Sequence, residues 1–265
     1  MATLPPPTPA RDGDEARAAA VARLVRDLEQ NFRDAVERSL HFKLDGSVTS
    51  LAIVDHYLAQ ARTETRAPIL ALLAAGAGAY FGELVARHLG ALWLGDGKDA
   101  RHLRLLLTPA FVYFSPVDTA FTAILGAEPG PDDPRLPTGL PLDFAIHLQT
   151  EARPPPNPRR AVDLDEPPPD PPEPAEPGAE PLPPPHDDGT DDATNDTNTD
   201  DATDDATWIG ARLAELAPVP ADQFYSLTTR YETLELILEL LATRRAHAGY
   251  GPYTYTVQDY LHAFS

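Results

Sequence analysis

The chain has 265 residues, room for one large domain or two small ones, and it contains no cysteine, which excludes disulfides, thiolate metal sites and a cysteine nucleophile. Its formal net charge of −20 repels phosphate backbones, and no basic stripe interrupts the sequence, so nucleic-acid binding is not expected. The N-terminus lacks a basic segment followed by an apolar one, which predicts no cleaved signal peptide and a cytoplasmic protein.

Two segments are predicted to be disordered. Residues 1–13 are rich in proline and small polar side chains. Residues 151–207 contain 17 Asp and Glu side chains against three Arg, together with 15 of the 30 prolines. They offer too little apolar surface to offset the entropy lost on ordering. The rest of the chain, with 24 acidic and 18 basic side chains, has an ordinary globular balance, so the acidity belongs to an insertion.

The first predicted element is a long helix over residues 14–40. Its apolar residues recur at three- and four-residue steps. They are Val21, Leu24, Val25, Leu28, Phe32 and Val36. On the polar side, the spacing predicts two i,i+4 ion pairs, Glu29–Arg33 and Asp34–Arg38.

Two further helices are predicted before residue 90. Gly46 breaks the chain, and Ser47 is the expected N-cap of a helix that ends near Arg62. Pro68 then opens the third helix at its first turn, where the missing N–H costs no hydrogen bond.

The third helix contains the most apolar run of the chain, 16 uncharged residues from Ala67 to Gly82. A bilayer-spanning helix takes about 20 apolar residues, and Glu83 closes this run too early. Its glycines match neither the dinucleotide fingerprint nor the P-loop. Small residues do recur along one face, at Ala71, Ala75, Gly78, Gly82 and Ala86. Because glycine costs about 0.5–1 kcal/mol inside a helix, this strip predicts a buried central helix that another element approaches closely.

Three short apolar segments after Gly90 predict a small sheet. They lie at residues 91–94, 102–107 and 110–114, and a Gly-Asp-Gly turn and a Thr-Pro pair separate them. The connections are too short for a parallel crossover, so the strands are expected to be antiparallel.

A helix and a fourth strand are predicted next. Ser115 is the expected N-cap of a helix that starts at Pro116, and Gly126 is its stop signal after Leu125. Residues 143–149 alternate between apolar and polar side chains, which is typical of a half-buried strand.

The C-terminal part predicts three helices. A short one covers 207–216, a long one 220–246, and a last short one is capped by Thr256. The apolar side of the long helix comprises Phe224, Leu227, Tyr231, Leu234, Leu238 and Leu241. Arg244 and Arg245 lie in its last turn, where cations complement the helix dipole.

These elements predict an α+β fold: a helix-rich single domain with a small, mainly antiparallel sheet, interrupted by the acidic insertion. Residues 14–150 supply its first part, and the helices of 208–265 are expected to pack on the same domain. Both sides of the insertion offer incomplete amphipathic surfaces, which favours one shared core.

Three stretches of this sequence resemble a group of uncharacterised bacterial domains: "LDGSVTSLAIVDHYL", "GAGAYFGELVARHLGALW" and "FVYFSPVDTAF". Those domains carry a Ser-Leu…Asp helix, a Gly-Ala-Tyr-x-Gly-Glu helix, a Trp-led strand and a Pro-started helix. The resemblance covers about residues 44–125, under a third of the chain, and implies a small α+β domain. It implies no particular activity and no catalytic residues.

Few ionisable side chains are candidates for chemistry. Glu83 follows the apolar run directly, and burial beside His56 or His88 would make it a general base. The alternatives are a glutamate on the helix surface that pairs with Arg87 at i,i+4, or a buried carboxylate with a structural role. The histidines show no metal-binding spacing and no serine-nucleophile motif occurs, so no metal and no cofactor are predicted.

The leading functional hypothesis is a non-catalytic module that binds another protein, with the acidic insertion as a tether. Aromatic residues near the C-terminus are either core or partner surface: Phe224, Tyr225, Tyr250, Tyr253 and Tyr255. The alternative is an enzyme or small-ligand binder with a pocket near Glu83 and Trp93. A third hypothesis, attachment to a membrane through 67–94, would make solubility depend on detergent.

Overall fold

The computed structural model describes residues 10–130, 133–136, 142–148 and 204–263. The helices are α1 (Ala10–Leu40), α2 (Leu51–Gln60), α3 (Ala67–Val85), α4 (Pro116–Leu125), α5 (Asp205–Ala214), α6 (Leu227–His247) and α7 (Val257–Ala263). The strands are β1 (Ala91–Leu94), β2 (Arg104–Leu107), β3 (Val112–Phe114) and β4 (His147–Leu148).

The two segments predicted to be disordered lie largely outside the described residues. Of residues 1–13, only the last four are described, and they belong to α1. Of residues 151–207, only 204–207 are described. Asp204 is the N-cap of α5 and accepts the N–H of Thr207 at 2.9 Å, so helix structure begins earlier than the predicted end of the insertion.

The fold class is confirmed as α+β, with a four-stranded antiparallel sheet in the order β1-β2-β3-β4. Three predicted strands are present, although β2 and β3 are shorter than the apolar segments that predicted them. Of the fourth predicted strand, the described residues show His147–Leu148, and residue 149 lies outside them. Asp143, predicted as part of that strand, donates its N–H to the Asp118 carboxylate of α4 at 2.9 Å and not to a neighbouring strand.

Helix α3 is the central element, and the prediction that small residues allow close approach to it is confirmed. A Cβ on Gly76 would lie 2.9 Å from the Cβ of Phe32 in α1. A Cβ on Gly78 would lie 2.7 Å from the Pro116 carbonyl oxygen of α4. Both distances are below any normal carbon contact, so α1 and α4 pack as they do because these side chains are missing.

The segment from Ala67 to Gly90 is long and apolar enough, by length and composition, to cross a membrane. In the fold, 67% of an apolar 18-residue stretch of this segment is buried. The buried face is covered by α1, α4 and the sheet. The segment therefore has the surroundings of a core helix.

The two faces of the sheet are covered by different elements. Leu105 and Leu107 of β2 belong to the main core with α3 and α4, whereas Leu106 belongs to a cluster with Phe111 and Tyr260. The Tyr260 ring stacks on Phe111 at 4.1 Å between centroids. Its hydroxyl donates to the Leu107 carbonyl at 2.6 Å. Helix α7 thus closes the face of the sheet that α3 leaves open.

The C-terminal helices share the main core of the N-terminal part. Leu234, Ile237 and Leu241 of α6 lie in the same cluster of buried residues as Leu51 and Val54 of α2. Residues on both sides of the insertion therefore exclude water from one continuous apolar interior.

The long C-terminal helix starts later than predicted. It begins at Leu227 because the Ser226 side chain accepts the N–H of Thr229 and caps it. Phe224 precedes the helix and exposes 46% of its surface, so its assignment to the apolar side was wrong. Leu238 is partly buried against the main core as predicted, and Ile237, which the pattern did not include, is also buried.

Two predictions for the first half of the chain were also wrong in detail. Ser47 occupies the N-cap position of a 3₁₀ turn at Val48–Ser50 that leads into α2, but its side chain makes no capping hydrogen bond, because its hydroxyl donates to Asp45 at 2.6 Å. The Glu29–Arg33 pair forms at 2.7 Å. The second predicted pair does not form, because the partner that reaches the Asp34 carboxylate is the amide of Gln30, at 2.7 Å.

Candidate functional site

Glu83 and Trp93 are brought together by the fold. Trp93 on β1 donates its indole N–H to Glu83 Oε1 at 2.7 Å. The indole lies against Gly82, where an added Cβ would overlap the ring. The alternative pair of Glu83 with Arg87 does not form: the helix widens to a π-turn after Val85, and the Arg87 guanidinium lies 3.5 Å from the Gly46 carbonyl oxygen.

The two candidate histidines lie apart from this carboxylate. His56 is exposed on α2, and its Nε2 lies 3.2 Å from the Gln60 amide. His88 is also exposed, and its Nε2 lies 3.3 Å from the Gly46 carbonyl oxygen. The structure therefore does not place a histidine in hydrogen-bonding contact with Glu83. Within the described ranges, no group of three or more His, Asp or Glu side chains is arranged to hold a metal ion.

A groove between α1, α2 and α3 has a volume of about 730 Å³. That volume falls within the range of about 300–1,000 Å³ that binding pockets commonly occupy. Its larger apolar lining residues are Leu28, Phe32, Tyr57, Ile69, Leu72 and Leu73. Leu72 exposes 69% of its surface and Ile69 exposes 40%. The groove thus presents apolar side chains that the described fold does not cover.

Of the charged side chains on the rim of the groove, one forms an ion pair and two do not. On the α2–α3 connection, Glu64 is held by Arg66, with 2.5 Å between Oε2 and the guanidinium. On α1, Asp34 and Arg38 both line the groove and are exposed. Neither of these two forms an ion pair with a described residue. The rim of α1 therefore offers one negative and one positive group to a ligand.

Sequence reasoning missed this groove, although a signal for it was present. The apolar run of α3 has no polar face: Ile69 and Leu72 point away from the core that buries Leu70 and Ala74. A helix that is apolar on every side must be covered on every side or leave part of itself exposed. The pattern predicted burial, and for these two residues the fold supplies no covering element.

A second polar feature is a buried carboxylate in the first turn of α4. Asp118 exposes 2% of its surface, and among the described residues its Oδ1 has no hydrogen-bond partner. Burial raises the pKa of Asp118 above its ordinary value, and the hydrogen bond from Asp143 offsets this only in part. The carboxylate of Asp143 lies 2.9 Å from His147 Nε2, and the His147 ring stacks on Tyr113 at 4.6 Å. Together these contacts attach residues 142–148 to α4 and β3.

We expect Asp118→Asn to change how stability depends on pH. A folded-state pKa above the unfolded value means that the stability contributed by Asp118 is fully present at acid pH and is lost as pH rises through the folded pKa. Asparagine keeps an oxygen for the Asp143 N–H and has no charge to bury. The free energy of unfolding of the variant, measured in urea from pH 4 to pH 7, should therefore increase relative to that of the wild type as pH rises. A difference that stays constant over this range would contradict the prediction.

Comparison with known proteins identifies no relative of this chain: no family model, no curated protein and no solved structure matches it.

Proposed function

We propose that this protein is a non-catalytic, cytoplasmic protein-interaction module that binds a helical segment of its partner in the groove between α1, α2 and α3. The observation that carries the proposal is Leu72, which exposes 69% of its surface at the edge of an apolar groove. Burying a leucine that was exposed contributes about 1.5–3 kcal/mol, so a partner that covers Leu72 gains directly from doing so.

The shape of the groove supports a helix as the occupant. Its α1 wall runs from Leu28 to Arg38, about 15 Å of helix at 1.5 Å per residue. A partner helix of about three turns matches that length. Recognition of an amphipathic helix by an apolar groove between helices is a recurrent binding mode, in which side chains at i, i+3, i+4 and i+7 enter the groove.

The surroundings of Glu83 favour a structural role for that residue. Its Oε1 accepts the Trp93 indole N–H at 2.7 Å, and this bond ties the end of α3 to β1. A general base needs its proton acceptor within reach of a substrate proton. Because the Glu83 carboxylate is engaged by Trp93, we rank an enzyme or ligand pocket near these two residues as the second proposal. It gains support if no protein partner is found.

We expect Leu72→Glu to weaken binding of the partner by at least tenfold, because a carboxylate replaces an apolar contact and must be desolvated. Leu92→Glu is the matched control: Leu92 exposes 38% of its surface on β1, outside the groove lining. Both residues are exposed, so both variants should unfold at the temperature of the wild type. The measurement is a tagged pull-down from the host lysate, followed by titration of the recovered protein. A partner lost by Leu92→Glu and kept by Leu72→Glu would refute the proposal.

A variant lacking residues 152–203 separates the folded part from the insertion and keeps Asp204, the N-cap of α5. We expect it to retain the partner, since the groove is formed by residues that precede the deletion. Loss of the partner with the deletion would place recognition on the acidic tether instead. Absence of a partner for both the full chain and the shortened one would favour the alternative hypothesis of an enzyme or ligand binder that uses Glu83 and Trp93.

A further inference from the structure

The rim of the groove carries two charged side chains that are one helical turn apart and not paired with each other. Asp34 and Arg38 stand at i,i+4 on α1, a spacing at which opposite charges commonly attract. Asp34 Oδ1 instead accepts the Gln30 amide at 2.7 Å. The Arg38 guanidinium forms no ion pair within the part of the chain that the structure describes. Both groups therefore remain available to a molecule in the groove.

One pair on the preceding turn of α1 and one pair across the groove are already formed. Glu29 and Arg33 on the preceding turn of α1 pair at 2.7 Å, and Arg33 also donates to the Leu44 carbonyl. Across the groove, Glu64 is paired with Arg66. Of the charged residues on α1, Asp34 and Arg38 line the groove, and at this spacing their Cβ atoms are about 6 Å apart.

This pattern distinguishes between two kinds of apolar ligand. A fatty acid could pair its carboxylate with Arg38, but that carboxylate would also approach Asp34 and be repelled. An amphipathic helix can present a base to Asp34 and an acid to Arg38 at once, because side chains at i and i+4 have the same separation on both helices. The exposed Leu72 also needs a wide covering surface, which a helix provides and a single acyl chain does not.

We propose that the groove recognises a partner helix that carries one basic and one acidic side chain, a single turn apart, facing Asp34 and Arg38. This inference rests on the proposed function, since it specifies the partner of the same groove. Exposed ion pairs contribute little affinity, about 0–1 kcal/mol each, whereas like charges placed opposite one another are selected against. The two rim charges therefore determine which apolar helices are accepted, and the apolar lining supplies most of the affinity.

The test uses three capped peptides of about 14 residues that share one leucine face at i, i+3, i+4 and i+7. They differ at two flanking positions one turn apart, which hold Glu and Lys, two Glu, or two Lys. We expect the wild-type chain to bind the Glu/Lys peptide about threefold to tenfold more tightly than either of the others. Fluorescence anisotropy at low salt measures the affinities, and added salt should reduce the difference.

Charge reversal of the protein provides the matched variants. Arg38→Glu makes both rim groups acidic, so the two-Lys peptide should become the tightest binder. Asp34→Lys makes both basic, so the two-Glu peptide should become the tightest. Because both residues are exposed, neither change should lower the unfolding temperature. This reciprocal change of preference separates direct contact from the general attraction of cations to an acidic chain.

The outcomes separate this inference from the proposed function. Equal binding of all three peptides, with loss of all three in Leu72→Glu, would overturn the charge rule and leave the groove as a helix site. Binding that Leu72→Glu does not weaken, or no binding of any peptide, would overturn both. Tighter binding of dodecanoate than of every peptide, abolished by Arg38→Gln, would assign the groove to a fatty acid instead.

Discussion

Replacing Gly78 with alanine should lower the free energy of unfolding by about 2–3 kcal/mol. The new Cβ would lie 2.7 Å from the Pro116 carbonyl oxygen and 2.7 Å from the Val117 Cα. Both are backbone atoms of α4, whose ten residues are all buried, so the clash cannot be relieved by rotating a side chain. Alanine favours a helix by about 0.5–1 kcal/mol over glycine, and this gain is smaller than the cost of separating α3 from α4.

Gly210→Ala is the matched control for this prediction. Gly210 lies inside helix α5, and a Cβ there would meet nothing within 4 Å. The same substitution should therefore raise the free energy of unfolding by about 0.5–1 kcal/mol. Urea unfolding followed by circular dichroism measures both changes. If Gly78→Ala raised the free energy of unfolding as Gly210→Ala is expected to do, α3 and α4 could not be in the close contact on which the core depends.

Asp55→Ala should lower the free energy of unfolding by about 2 kcal/mol, because this carboxylate caps the start of α6. It accepts the Leu227 N–H at 2.7 Å, the Thr228 N–H at 3.1 Å and the Thr228 hydroxyl at 2.6 Å. These groups are 172 and 173 residues away along the chain. Alanine would leave the Leu227 N–H, on a fully buried residue, without an acceptor.

Two control variants distinguish the loss of the capping hydrogen bonds of Asp55 from the loss of a negative charge. Asp55→Asn keeps one oxygen acceptor and should lose less stability than Asp55→Ala. Asp222→Ala, an exposed acid in the same region of the surface, should change the free energy of unfolding by less than about 0.5 kcal/mol. Equal losses for all three variants would mean that general charge removal, and not capping, is responsible.

The form of the unfolding transition in Asp55→Ala adds a test of how the two parts of the chain cooperate. If α6 and α7 share one core with the N-terminal helices, the variant should unfold in a single transition at lower urea concentration. A separate early transition, with faster hydrogen exchange confined to α6 and α7, would show that the C-terminal helices unfold as an independent unit.

The features that were predicted correctly depend on residues close together in the chain. Ser115, Pro116 and Gly126 define the ends of α4, and the structure shows the Ser115 cap and a φ of +66° at Gly126. The glycines of α3 predicted close approach because glycine costs about 0.5–1 kcal/mol inside a helix, and close packing offsets that cost. Capping bonds and backbone conformation act over one turn, so neighbouring residues suffice to predict them.

The features that were missed depend on partners that are distant in the sequence. Glu83 bonds to Trp93 and not to Arg87, because β1 returns beside the end of α3. Tyr260, which the pattern did not single out, is fully buried, since its hydroxyl meets carbonyl groups at the β2–β3 connection. A side chain cannot reveal from its own neighbours which distant atom will come within hydrogen-bonding distance.

The candidate site shows the same division. Most helices, the first three strands and the excess of apolar surface on α3 could be predicted from the residues alone, because periodicity and capping are local. Whether Leu72 or Leu70 is exposed could not be predicted in this way, and the fold buries Leu70 and leaves Leu72 exposed. The position of Asp34 and Arg38 at the border of a groove also depends on the fold, since exposure depends on which elements pack against a face. Packing depends on contacts between residues that are far apart in the chain, and local sequence patterns do not specify those contacts.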